Sequence, residues 1–190
     1  MKRKLLLLLF FIGASIQAQE KVNELRITPE GFNGFLVKQF EGKTAEELYQ
    51  AVTKWSEYNI NNASVSNQSN IENEYLSYNV MYKSGLFIRS GLAKLVWDPM
   101  FKVEFRFKDG KVRYDIKIIS MNMHPNYGGK YPQAMIFRGG MLAYSFFNKK
   151  GKPKANTEQA RNQIEDIANS IIGSVSDHIN GESENTKSDW

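Results

Sequence analysis

From Phe101 to Ser120 apolar and polar positions alternate with a period of two. Phe101, Val103, Phe105 and Phe107 alternate with Lys102, Glu104, Arg106 and Lys108; then Val112, Tyr114, Ile116 and Ile118 alternate with Arg113, Asp115 and Lys117. Such alternation predicts two half-buried β-strands. Asp109-Gly110 between them predicts a two-residue type I′ turn, whose central residues both need positive φ. In that register Phe107 faces Val112, Phe105 faces Tyr114, Val103 faces Ile116 and Phe101 faces Ile118. A one-residue slip would expose the whole set, so burial specifies the pairing.

The same criteria divide the rest of the chain. Phe35 to Phe40 predicts a short strand ended by Gly42. Thr44 with Glu47 three residues on makes a capping box, and Leu48, Val52 and Trp55, with Tyr49 beside them, recur at helical spacing as far as Tyr58. Ala63 to Gln68 is a polar strand candidate, whereas Tyr75 to Lys83 alternates and is rich in β-formers. Leu86 to Trp97 predicts a strand whose pattern changes phase midway, because Leu86 and Ile88 face one way while Leu95 and Trp97 must face inward. A bulge at Ser90-Gly91 would absorb that flip, and Asp98-Pro99 then turns the chain into the hairpin. Met121 to Ala155 is a Gly-, Pro- and Lys-rich connection, too long to be structureless in a compact domain, and is read as carrying short elements that cover the core. Asn156 with Gln159 opens a second helix with Ile164, Ile167, Ala168, Ile171, Ile172, Val175 and Ile179 on its apolar stripe, ended by Asn180-Gly181.

These elements predict a single α+β domain over residues 34–179, with the connection at 121–155. It has two layers, one antiparallel sheet of about five to six strands with two helices packed on one face, in the order β-α-β(4 or 5)-α. Residues 19–33 read as a polar leader and 180–190 as a disordered tail. With Thr44, Glu47, Tyr49 and Trp55 on the first helix and Asp109, Gly110, Arg113 and Tyr114 in the hairpin, the chain resembles an uncharacterised family of exported bacterial proteins. The domain of that family, a domain of unknown function, has a TATA-box-binding-protein-like fold. The resemblance spans roughly Phe35 to Met121 and the last helix, and Met121 to Ala155 departs from the pattern. It implies a fold and no activity. Kinship of shape with a DNA-binding protein is analogy at the level of fold, and export argues against nucleic acid as a partner.

Lys2, Arg3 and Lys4, the apolar run Leu5 to Ile12 and the small residues from Gly13 to Ala18 have the order of a secretory signal cleaved before Gln19. The run is roughly half of the ~20 residues that cross a bilayer, so no membrane span is expected, and no cysteine stands near the cleavage point to carry a lipid anchor. The expected location is periplasmic or extracellular. The chain has no cysteine at all, which removes disulfides, thiolate ligands and thiol nucleophiles and leaves the core to hold the domain. Loss of the three signal-segment cations lowers the formal net charge from +5 to +2. That balance does not by itself argue for nucleic acid or an anionic membrane.

Candidate chemistry is sparse. Of the two histidines, His178 sits at the end of the second helix, where a cation interacts well with the helix dipole. His124 follows Met121 and Met123, a thioether and imidazole set soft enough for copper(I), although methionine more commonly fills irregular core gaps. There is no Gly-x-Ser-x-Gly, His-Glu-x-x-His or phosphate-binding loop. The acidic pairs Glu46 with Glu47 and Glu72 with Glu74 lie in polar contexts, so neither an enzyme nor a cofactor is expected.

The outward side of the hairpin carries a sharper pattern. Lys102 faces Lys117, Arg106 faces Arg113, Lys108 faces Lys111 and Glu104 faces Asp115, like charges opposed at a cost of roughly a few tenths of a kcal/mol each. Lys102, Arg106, Arg113 and Lys117 are therefore candidate residues of a platform for an anionic partner such as a phosphate-bearing glycan, a lipid head group or an acidic protein. Lys130, Arg138, Lys149, Lys150, Lys152 and Lys154 add charge on the connection, whose Tyr127, Tyr131, Tyr144, Phe146 and Phe147 read as core and rim packing. The expected function is that of an exported, non-catalytic domain binding a protein or an anionic envelope component through its sheet face or its connection. The alternative is a small-molecule or soft metal-ion binding protein that uses residues 121–155, with Met121, Met123 and His124 as ligands.

Overall fold

The computed structural model describes residues 21–59, 64–90, 93–127, 134–139 and 144–181. The segment read as a secretory signal, Gly91, Lys130, Tyr131 and the stretch beyond Gly181 lie outside the described residues. In chain order the elements are β1 Lys21–Val22, β2 Ile27–Thr28, β3 Gly31–Phe32, β4 Phe35–Gln39, α1 Ala45–Asn59, β5 Ser64–Ile71 and β6 Tyr75–Met81. They continue with β7 Leu86–Ser90, β8 Ala93–Lys108, β9 Lys111–Met123, β10 Ile136–Arg138, β11 Ser145–Phe147, a 3-10 turn Ala155–Thr157 and α2 Glu158–Ile179.

Strands β8 and β9 carry the alternating stretch. Phe107 pairs with Val112, Phe105 with Tyr114, Val103 with Ile116 and Phe101 with Ile118. Seven of these eight side chains are buried and Ile118 is partly so, which is why the register cannot slip. The turn is not the expected type I′. Asp109 is not among the residues with positive φ, and Gly110 alone takes +72°. The reason is tertiary: Asp109 Oδ1 accepts the Ala45 N–H at 2.8 Å, and the Gly110 N–H donates to the Lys43 carbonyl at 2.8 Å. The start of α1 shapes the turn.

The sheet is larger than expected. Its order is β1-β4-β9-β8-β6-β5, and β7 also pairs with β8, giving seven strands. All pairings in it are antiparallel except β1 with β4. β2 with β3, and β10 with β11, form two further two-stranded sheets. Leu86 to Trp97 is not one bulged strand. β7 folds back on β8, pairing Ser90 with Ala93, Ile88 with Leu95 and Leu86 with Trp97; chain reversal brings these apolar pairs to one face, and the change of phase in the pattern is its trace. β8 then runs through Asp98-Pro99 without turning. Pro99 lies next to a register shift between Met100 and Phe101, a setting in which a strand interior accepts proline.

Residues 21–33 belong to the domain and are not a leader outside it. Leu25 is fully buried and Ile27 joins the same core. Asn169 of α2 accepts the Leu25 N–H and donates to the Leu25 carbonyl, while Glu165 accepts the Ile27 N–H and an Arg26 guanidinium N–H. Along the stretch read as a connection, Met121 and Met123 lie in β9, and Met135, Phe146 and Phe147 are buried.

Both helices lie over the same side of the sheet. The capping box forms at α1: the Thr44 N–H donates to Glu47 Oε2 at 2.7 Å and the Glu47 N–H to Thr44 Oγ1 at 3.2 Å. Asn156 does not cap α2, whose N-cap is Thr157 without a side-chain cap bond; the Thr157 hydroxyl donates to the Phe146 carbonyl instead. Trp55 meets Phe105 edge-on and Tyr49 meets Phe107 likewise. Trp55 Nε1 donates to Ser174 Oγ at 2.9 Å and ties the helices together. Among the described residues no helix lies over the opposite side of β8 and β9.

Candidate functional site

The uncovered face is set by the pleat. Lys102, Glu104 and Arg106 of β8 point away from the helices and pair with Lys117, Asp115 and Arg113 of β9. All four cations singled out in the sequence therefore share one surface, arranged as two rows with the two acids between them. The acids are 7% and 5% exposed although no helix among the described residues covers this face, because neighbouring side chains lie across them. Glu104 binds Lys102 Nζ at 3.0 Å and Lys117 Nζ at 2.9 Å, and accepts the Tyr75 O–H at 2.6 Å. Arg113 Nη2 donates to Asp115 Oδ2 at 2.6 Å while its guanidinium lies 3.7 Å from the Phe35 ring centroid. Arg106 lies 5.5 Å from the Tyr75 ring centroid, within cation–π range.

Sequence reasoning placed the four cations and missed their organisers. Glu104 and Asp115 were visible only as acids between basic rows. Tyr75 and Phe35 belong to β6 and β4, whose pairing with the hairpin is a long-range fact. The out-of-phase position of Tyr75 relative to Leu76 and Tyr78 was the one signal that it faces outward. Burial is the largest single influence on the Glu104 carboxyl and pushes it up, but the hydrogen bonds from Tyr75, Lys117 and Lys102 together outweigh it and hold the group at about 2. Glu104 is thus ionised at any physiological pH and keeps both lysines in place. Four cations against two carboxylates leave the patch positive.

The soft-ligand set has a different fate. Met121 and Met123 are 3% and 7% exposed and belong to the hydrophobic core, where their sulfurs serve as packing atoms. His124, one position on, accepts the Asn126 N–H at Nδ1 and meets the Tyr127 ring edge-on. Among the described residues no group of three or more His, Asp or Glu side chains is placed to hold a metal ion. His178 stands in the last turn of α2.

On the helical side a cleft of about 500 Å³ opens between α1, α2 and β6. Val80 and Val103 form its floor, and Trp55, Tyr82 and Ile171 are among its walls. Two of the polar atoms behind these walls are paired, Trp55 Nε1 with Ser174 and the Tyr78 hydroxyl with Ser56 Oγ at 2.6 Å, while Asn59, Ser170 and the Tyr82 ring also belong to the lining. Burial pushes the Tyr78 hydroxyl up to about 12 despite that bond.

The chain matches no family model and no curated protein. Its structure is similar to the crystal structure of a DUF4468 family protein from Bacteroides ovatus, with a TM-score of 0.55 and 14% identity over 86% of this chain and 91% of that one. At that identity the likeness shows a common α+β fold, one shared with a domain of unknown function. Among the described residues no helix is long and apolar enough to cross a membrane.

Proposed function

We propose that this protein is an exported, non-catalytic domain that binds an anionic envelope component or an acidic protein through the open face of its sheet. The observation that carries this reading is the geometry of the cation array. Lys102, Arg106, Arg113 and Lys117 stand in two rows on the side of β8 and β9 that no helix among the described residues covers, and Glu104 and Asp115 pair with three of them. Preorganised cations lose less conformational freedom on binding than mobile ones, and a positive patch steers an anion toward it. The signal-like segment before Gln19 supports export. The succession of a strand, a helix, a meander and a final helix supports a TATA-box-binding-protein-like fold, with a role unrelated to DNA, since fold does not carry function.

The structure also selects the informative substitution. Reversing Arg113 would place a second carboxylate beside the buried Asp115, and so confound binding with stability. Arg106 is exposed and contacts the Tyr75 ring, so Arg106→Glu changes the field of the face and spares the fold. The test presents the mature chain with phosphatidylglycerol vesicles, a sulfated oligosaccharide and a glutamate-rich peptide, at low salt and at about 0.15 M, where screening acts over about 8 Å. At least one probe should bind at low salt, weaken with salt, and bind about tenfold less tightly to Arg106→Glu, equivalent to about 1.4 kcal/mol, with circular dichroism unchanged. No binding at low salt, or equal binding by the variant, would overturn the proposal.

A further inference from the structure

We infer that the cleft between α1, α2 and β6 is a second binding site, on the opposite side of the sheet from the cation array, for a small amphipathic anion with an apolar body and one carboxylate-type head. Its volume of about 500 Å³ lies within the range of clefts that enclose small ligands, about 300 to 1,000 Å³. Val80, Val103 and Ile171 offer hydrocarbon and Trp55, Tyr78 and Tyr82 aromatic surface, with the Trp55 and Tyr78 donors spent on Ser174 and Ser56; Asn59 and Ser170 are the polar part of the lining. A ligand body that laid polar groups against Val80, Val103 and Ile171 would leave them unpaired, which favours an aliphatic or aromatic body over that floor.

The head group is specified at the rim. Lys83 is the one charged side chain among the described residues lining the cleft; it is exposed and has no carboxylate partner among the described residues. The backbone that carries it is also held in place. Ser84, the next residue, adopts φ +54°, a left-handed conformation that costs a non-glycine residue energy and persists only where surrounding contacts enforce it. The enforcing contacts are the Ser84 N–H donating to Asp98 Oδ1 at 2.7 Å and the Tyr82 N–H donating to the Pro99 carbonyl at 3.0 Å. Gly85 completes the turn, since a Cβ there would approach Tyr82 Cβ to 2.9 Å. A strained, over-determined turn thus sets a lone cation at the mouth of an apolar cleft, the complement of a molecule such as a fatty acid.

The probe is decanoate, compared by calorimetry with acetate, which has the head alone, and with 1-decanol, which has the body alone. The mature chain should bind decanoate saturably, decanol about tenfold more weakly, and acetate not at all. Ser170 lies exposed on α2 at the cleft wall, so Ser170→Trp fills the space from outside the core and should abolish decanoate binding. Lys83→Met should bring decanoate down to the affinity of decanol, a readout independent of whether the tryptophan variant folds. Arg106→Glu, on the other face, should bind decanoate like the unaltered chain, which separates this site from the anionic platform. The absence of saturable decanoate binding, an unchanged affinity in folded Ser170→Trp, or a decanoate preference that survives Lys83→Met would each overturn the inference.

Discussion

Glu104 shows how a single side chain can be hidden on an open face and still organise its neighbours. It accepts from Tyr75, Lys102 and Lys117 at once, and such charge-assisted bonds are stronger than neutral ones. Its carboxyl is held at about 2, below the ordinary 4.5, so the ionised form is bound more tightly in the folded than in the unfolded chain. The stability this supplies is fully present above the ordinary value and is lost as pH falls toward the folded one. Glu104→Gln should therefore melt lower at pH 7, with a loss on the order of 2 kcal/mol, and its melting temperature should converge on that of the unaltered chain between about pH 4.5 and 2. Thermal melts across that window give the answer, and a gap that stays constant would show that the charge of Glu104 is not what stabilises the face. The like-charge rows were legible from residue order alone. The burial of Glu104 was not, because it depends on Tyr75 from a strand joined to the hairpin only through tertiary pairing.

Between elements, the tightest coupling is that of the β8–β9 turn with the start of α1. Asp109 caps the Ala45 N–H from 64 positions away, so one residue shapes the hairpin and satisfies an orphan donor of the helix. Asp109→Ala should cost about 1 kcal/mol, the usual scale for a lost cap. Gly110→Val should cost more than about 1 kcal/mol, because a β-branched side chain is poorly tolerated at φ +72°. Denaturant titration measures both, and an unchanged midpoint for either would show that the turn does not depend on that residue. Local signals were read well here. The capping box of Thr44 and Glu47 sits within one turn and forms, while the expected type I′ geometry fails because a contact distant in sequence decides the Asp109 backbone. Likewise the phase change near Ser90 was plain in the pattern, yet a bulge and a reversal leave the same trace until the pairing of Leu86 with Trp97 is seen.

At the scale of the molecule, the sequence reading captured two helices on one side of a mostly antiparallel sheet and undercounted the strands. The missed pieces, β1, β2 and β3, are two residues each, too short for any period to register, and Leu25 with Ile27 makes only one alternating pair in the core. Leu25→Ala should destabilise the domain by about 2 to 5 kcal/mol if residues 21–33 are part of the fold, and a melting temperature within about a degree of the unaltered chain would place them outside it. The division of labour between the two faces is the larger claim: a core and a cleft on the helical side, an anion-binding platform on the other. The most direct test is a nuclear magnetic resonance titration of residues 19–190 at low salt with the sulfated oligosaccharide, the glutamate-rich peptide and phosphatidylglycerol in turn. Shifts from at least one probe confined to Lys102, Glu104, Arg106 and their partners on β9, with α1 and α2 unmoved, are the predicted result; a spectrum undisturbed by all three, or shifts centred on the helices, would contradict it.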